Sequence, residues 1–226
     1  MLIPFKKYTT KDLESQLSLK NNDAFKNRRN VRIAVIDDEP FKPLENLLAE
    51  GFSISSLGEY CEMRALRDYQ IIVCDVDQVG KDKNPNEHGA AVISEIKRVF
   101  PEKKVIVYTG LTGNVKKLRL AKERADEYIP KTKSLSIWAQ TLDALIEECL
   151  NPSMLWSCSV EKLRENNVSS KEIVFIEDKF VRAILKKDKS YLKSARNVVS
   201  NEYSKNIISG LIASAIWTVF GIGIAP

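Results

Sequence analysis

Residues 31–40 read VRIAVIDDEP, an apolar and largely β-branched run that ends in three carboxylates, Asp37, Asp38 and Glu39, just before Pro40. The run predicts a buried strand. Adjacent carboxylates repel one another, so the strand end demands a reason for its crowding. The same pattern returns downstream. YQIIVCDVD (69–77) is a near-continuous apolar strand that again ends in carboxylates, Asp75 and Asp77. KKVIVYTG (103–110) ends on Thr109, and DEYIPK (126–131) ends on Lys131.

Between these strands lie helical patterns. EPFKPLENLLAEG suits a helix closed by Gly51, FSISSLG a short strand, and YCEMRALRD a second helix. AAVISEIKRVF, stopped by Pro101, has apolar residues at helical spacing. NVKKLRLAKERA reads as a basic helix, and SIWAQTLDALIEECL as an amphipathic one that ends before Pro152. Strands buried on both faces and separated by single helices predict a parallel sheet covered on both sides. The expected fold class is therefore α/β, a doubly wound five-stranded parallel sheet of flavodoxin-like type over residues 31–150.

In such a sheet, ligands gather outside the carboxyl ends of the strands. Asp37, Asp38, Asp75, Thr109 and Lys131 should thus meet on one edge. Hard oxygen ligands of this kind suit Mg²⁺, which makes the acidic pair a metal seat. Asp75 is then placed to act as a nucleophile toward a phosphoryl group, whose charge Mg²⁺ and the Lys131 ammonium would stabilise. Thr109 would hydrogen-bond a phosphoryl oxygen. Taken singly, each residue has a plainer role: helix capping for the acidic pair, a strand-end hydroxyl, a solvated lysine.

VIDDEP, IIVCD, VIVYTG and ADEYIPK, in this order, resemble the receiver domain of two-component response regulators, over about residues 31 to 150. That resemblance implies Asp37 and Asp38 as metal ligands, together with Asp75 and the backbone carbonyl of Asp77. It implies Asp75 as phosphoacceptor, Thr109 and Tyr128 as the switch pair, and Lys131 as the phosphoryl-binding lysine. The implied cofactor is Mg²⁺, and the implied partner is a histidine kinase or another phosphodonor. The protein would be a signalling module rather than an enzyme, with at most self-phosphorylation and self-dephosphorylation. Two departures stand out. Asp77-Gln78-Val79 replaces the family's Met-Pro, and Thr132 replaces the proline that usually follows the lysine.

Two other readings fit parts of the chain. A degenerate receiver could serve as a protein-interaction adaptor. CDVDQV, with Asp75 and Asp77, also resembles the Asp-x-Asp nucleophile motif of haloacid-dehalogenase-type phosphatases, with Thr109, Lys131 and then Glu177 and Asp178 as its later groups. That alternative leaves Asp37 and Asp38 unexplained.

The chain has 226 residues, 44% hydrophobic and 29% charged, as in a globular protein. Its four cysteines include no CxxC pair and there is one histidine, His88, which speaks against a zinc site or His-dependent catalysis. His88 lies in a polar loop and is given no role. Residues 1–30 read as an N-terminal arm with a short amphipathic helix in TTKDLESQLSLK. No secretory leader is evident in MLIPFKKYTT, so a cytoplasmic location is expected.

Residues 151–206 read as a basic helical connector, with one very long helix possible from Ser169 to Lys205. Leu185, Leu192 and Val199 recur there at heptad spacing. From Arg182 to Asn206, seven basic residues face two acids and account for the whole net charge of +5. The last twenty residues, 207–226, carry no charge. About twenty apolar residues suffice to span a bilayer, so this tail is a candidate transmembrane helix anchoring the protein to the cytoplasmic side of the cell membrane. Small residues Ser209, Gly210, Ala213 and Ser214 would permit packing into a homo-oligomer. Nucleic acid is not an expected partner, since SVEKLRENNVSSKEI makes a poor helix-turn-helix.

Overall fold

The computed structural model describes residues 7–13, 24–59, 62–81, 84–113 and 115–219. They form two compact units, one of residues 23–148 and one of residues 1–22 with 149–226.

The first unit is built on five strands: β1 (Arg32–Ile36), β2 (Ser53–Ser56), β3 (Ile71–Asp75), β4 (Lys104–Thr109) and β5 (Glu127–Pro130). All pair in parallel, in the order 2-1-3-4-5. This is the flavodoxin-like doubly wound arrangement expected from the sequence. Every residue of β3 and β4 is buried, as strands covered on both faces must be. Register aligns the strand ends: Val35 pairs with Val73, Asp75 with Tyr108, and Thr109 with Pro130.

The helices are α1 (Ala24–Asn30), α2 (Leu44–Ala49), α3 (Gly89–Val99), α4 (Lys116–Arg124) and α5 (Leu135–Leu150). On one face of the sheet Ala34, Ile36, Ile72, Cys74, Val105 and Val107 pack with Val92, Ile93 and Ile96 of α3 and Leu118 and Ala121 of α4. On the other, Phe41, Tyr108 and Trp138 meet edge to face with ring centroids 5.1–5.3 Å apart. Two expected helices are shorter than their patterns suggest. The first waits for Pro43, which stands at the N-cap of α2, and its chain turns back at Gly51, whose φ is +88°. The described residues of the second form only a 3₁₀ turn, Met63–Leu66.

Residues 24–30, read from sequence as part of an arm, belong to this unit. Arg28 of α1 holds Asp143 of α5 through two parallel bonds of 2.8 and 2.7 Å, donates to the Glu50 carbonyl at 2.8 Å, and lies over the Phe52 ring at 4.2 Å. Such bidentate pairs combine strength with fixed geometry.

The second unit is helical: α6 (Pro152–Glu165), α7 (Ser170–Lys186), α8 (Ser190–Val198), α9 (Glu202–Ala213) and α10 (Ile216–Val219). The single long helix considered above is broken twice. Lys187 adopts a left-handed conformation, φ +54°, after α7, and Asn201 caps α9 by accepting from Tyr203 N and Ser204 N. Leu192 and Val199 therefore serve a folded core instead of a coiled-coil seam. That core also contains Trp156 stacked on Phe180 at 5.8 Å.

The N-terminal segment joins this core. Leu13 is wholly buried in it, Tyr8 N donates to Asp178 Oδ1 at 2.9 Å, and Thr10 N donates to Glu177 Oε1 at 3.1 Å. The rest of the predicted N-terminal helix lies outside the described residues.

The transmembrane expectation for the tail needs correction. No helix among the described residues is long and apolar enough to cross a membrane. The uncharged run divides at Ser214 and Ala215, and the Trp217 indole donates to the Leu211 carbonyl at 2.9 Å, folding α10 back on α9. Ile207, Ile208, Leu211, Ile216 and Trp217 fill the helical core, so the apolarity of these residues is used within the protein. Residues 220–226 lie outside the described residues.

Candidate functional site

Strand β1 ends at Ile36 and hands the chain to Asp37, while β3 ends on Asp75 itself. Parallel pairing brings both acids to the carboxyl edge of the sheet. Asp37 and Asp75 are each 2% exposed, and oxygens of Asp37, Asp38 and Asp75 lie within 4.8 Å of one another. Lys131, just past β5, reaches into this cluster. Its Nζ stands 3.1 Å from Asp37 Oδ2, 3.6 Å from Glu39 Oε2 and 3.8 Å from Asp75 Oδ2.

One ammonium does not balance this group of acids. Asp75 Oδ1 is buried with no hydrogen-bond partner among the described residues, and Asp37 Oδ2 has only its ion pair with Lys131. Buried carboxylate oxygens left this way are costly unless a cation completes them. Clustered hard oxygens with unused lone pairs fit Mg²⁺ or a similar divalent ion. Burial pushes the Asp75 carboxyl above its ordinary pKa; the Lys131 charge opposes this, and the negative charge of Asp37 adds to it. Burial works against the ammonium of Lys131, but the carboxylates of Asp75 and Asp37 outweigh it and raise its pKa.

Thr109 is fully buried at the end of β4. Its Oγ1 accepts from Leu111 N at 3.2 Å, which leaves the hydroxyl hydrogen available to donate. Its carbonyl accepts from Lys131 N at 3.0 Å, tying the hydroxyl strand to the lysine. Tyr128 is half-buried against the α3–α4 side of the sheet, with Lys122 Nζ 3.5 Å from its ring centroid.

Asp77 is engaged elsewhere. Its carboxylate pairs with Lys117 of α4, and its carbonyl accepts from Lys117 Nζ at 3.3 Å and contacts His88 Nδ1. The cluster of side-chain ligands among the described residues is Asp37, Asp38 and Asp75. Glu177 and Asp178, later groups of the phosphatase-like alternative, sit on α7 in the helical unit, holding Thr10, Tyr8 and Arg182. No cis peptide bond occurs among the described residues, so Lys131 joins Thr132 through a trans bond.

Three contributors escaped the sequence reading. His88 ties the loop before α3, its Nε2 2.9 Å from the Pro85 carbonyl while Nδ1 meets Asp77. Gly89 opens α3 so close to β3 that a Cβ there would lie 2.1 Å from the Asp75 carbonyl. Tyr108, beside Thr109 but on the opposite face of the strand, lies with its ring centroid 5.0 Å from Lys131 Nζ. Burial raises its pKa, with Lys131 pulling the other way. A glycine in a polar loop gave no sign of its neighbour.

No family model and no curated protein matches the chain. Solved structures do. Solved structures similar to this chain include response-regulator receiver domains. The apo receiver domain of nitrogen regulatory protein C is 22% identical, with a TM-score of 0.44, over 53% of this chain and 96% of that one. A receiver domain protein from Clostridium thermocellum is 25% identical, with a TM-score of 0.43, over 52% and 94%. The response regulator TrrA from Thermotoga maritima, in complex with Mg²⁺ and beryllofluoride, is 26% identical, with a TM-score of 0.40, over 51% and 98%.

Proposed function

We propose that the sheet unit is a phosphoacceptor receiver and that Asp75 takes the phosphoryl group. The observation that carries this reading is the meeting of Asp37, Asp38 and Asp75 within 4.8 Å, beside Lys131, with Asp75 Oδ1 buried and unpartnered. A carboxylate oxygen of Asp75 attacks the phosphorus of a donor. The new O–P bond forms as the donor's N–P bond, in a phosphohistidine, or O–P bond, in acetyl phosphate, breaks and the donor departs with the bonding pair. Asp37, Asp38 and Asp75 would hold a divalent ion such as Mg²⁺, which supplies charge neutralisation for the phosphoryl oxygens. Lys131 holds a phosphoryl oxygen by its ammonium, and Thr109 donates its hydroxyl hydrogen to another. Water later attacks the phosphorus, and as the O–P bond to Asp75 breaks the phosphoryl group leaves as inorganic phosphate and the carboxylate is restored.

The natural donor in this reading is a histidine kinase. The helical unit is the output of the sheet unit in this proposal, and association of copies of the chain is a further part of it.

Intact-mass measurement of the full chain after incubation with acetyl phosphate tests this. The expected result is one added phosphoryl group with Mg²⁺, none with a chelator, and none in Asp75→Ala. Unmodified wild-type protein under all conditions would reject phosphoacceptance and leave the adaptor reading; turnover of a phosphomonoester would favour the phosphatase.

A further inference from the structure

We propose that Tyr108 is a positioning residue for Lys131 and that, through its edge contact with Trp138, it carries the state of the acidic pocket to helix α5. This inference rests on the phosphoacceptor reading above and names a route by which that site is sensed. It differs from the route through Thr109 and Tyr128 that the family resemblance implies.

Two aromatic residues flank the site on opposite faces of the sheet. Tyr128 lies on the α3–α4 side, and the cation over its ring is Lys122, on α4. Tyr108 is the one beside the chemistry. Its ring is 2% exposed and stands 5.0 Å from the Lys131 ammonium, within the range where a ring face attracts a cation. Lys131 is thereby held between carboxylates and an aromatic ring.

The same ring touches two others. Tyr108 and Trp138 meet edge to face at 5.3 Å, and Phe41, four residues after Asp37 in the chain, contacts both at 5.1 Å. Trp138 is fully buried in the first turn of α5, and its indole N–H has no hydrogen-bond partner among the described residues. Aromatic contacts of this kind hold an indole that no polar bond fixes, so a displaced Tyr108 ring must displace it too. When a phosphoryl group draws the ammonium of Lys131 toward its oxygens, the cation leaves the Tyr108 face. The ring then resettles against Trp138, and the start of α5 follows.

Fluorine NMR of the full chain labelled with 5-fluorotryptophan, with Mg²⁺ and beryllofluoride as the phosphoryl mimic, tests this. The Trp138 signal is the one missing from Trp138→Phe. Bound beryllofluoride gives its own fluorine signal, so occupancy and relay are read separately. In wild type the Trp138 signal moves on binding by more than those of Trp156 and Trp217. Tyr108→Phe, which keeps the ring, preserves the shift. Tyr108→Leu still binds at saturation, several-fold more weakly, and loses most of the shift, while Tyr128→Leu keeps it. The relay is overturned if Trp138 stays still in occupied wild-type protein, a measurement that needs no variant to fold. It is equally overturned if the shift survives in Tyr108→Leu or vanishes in Tyr128→Leu. Absence of any bound-beryllofluoride signal in wild type would overturn the phosphoacceptor reading itself, and the relay with it.

Discussion

Replacing Lys131 with methionine removes the cation closest to the acidic cluster while keeping most of the side-chain volume. At an effective dielectric of about 20, the Lys131 ammonium at 3.1 Å from Asp37 and 3.8 Å from Asp75 is worth roughly 5 and 4 kcal/mol of attraction. Much of that offsets the cost of withdrawing the ammonium from water. The repulsion between Asp37 and Asp75, whose oxygens approach within 4.8 Å, is about 3.5 kcal/mol or more on the same scale. Without Lys131 it stands uncompensated, and losing one partner of a buried ion pair typically costs about 3–5 kcal/mol. The folded protein can limit the loss by protonating Asp75, whose pKa is already raised by burial.

The sign of the pH dependence follows. A carboxyl whose folded pKa exceeds its unfolded value of about 3.9 favours the folded state when protonated, and that advantage is lost as pH rises through the folded value. Lys131→Met raises the folded value further. The variant should therefore be about 3 kcal/mol less stable than wild type near neutral pH without divalent ions, and the difference should shrink as pH falls toward 4. Urea unfolding followed by hydrogen exchange in peptides covering β1 and β3 would measure this in the sheet unit alone. A difference under about 1 kcal/mol at neutral pH, or one independent of pH, would refute the electrostatic account of the site.

Other consequences are local. Gly89→Ala should cost about 3 kcal/mol, because its Cβ would meet the Asp75 backbone; unchanged denaturant stability would contradict this packing. Asp126, bonded by Lys97 and by Val105 N at 2.7 Å, has its pKa lowered although burial opposes this. It stabilises the fold above about pH 4 and loses that contribution as pH falls through its depressed value, so Asp126→Asn should flatten the acid limb of a stability profile. Leu13→Ala should destabilise the helical unit by about 2–5 kcal/mol in exchange measurements on α7 and leave β3 protected.

The sheet was legible because its strands are buried on both faces, which forces apolar runs short enough to count, and because each run ends on a polar residue that the carboxyl edge collects. Asp37, Asp75, Thr109 and Lys131 could be named for that reason. Helix lengths were harder. Pro40 and Pro43 delay the start of α2, and the left-handed Lys187 breaks a run whose composition would suit a continuous helix. The tail misled because composition does not say which solvent an apolar run meets: Ile207, Leu211 and Trp217 are covered by other helices of their own unit. Tyr108 and Gly89 were hidden for a geometric reason. Their importance depends on which residue lies across a strand face or a helix start, and that is fixed only by tertiary packing.

The most direct test of the acidic cluster is calorimetric titration of Mg²⁺ into the full chain near neutral pH. The account predicts one saturable site, abolished in Asp75→Asn and in Asp37→Asn and retained in Asp77→Asn, whose side chain faces Lys117 instead. Absence of binding in wild type, or equal binding in all three variants, would contradict it.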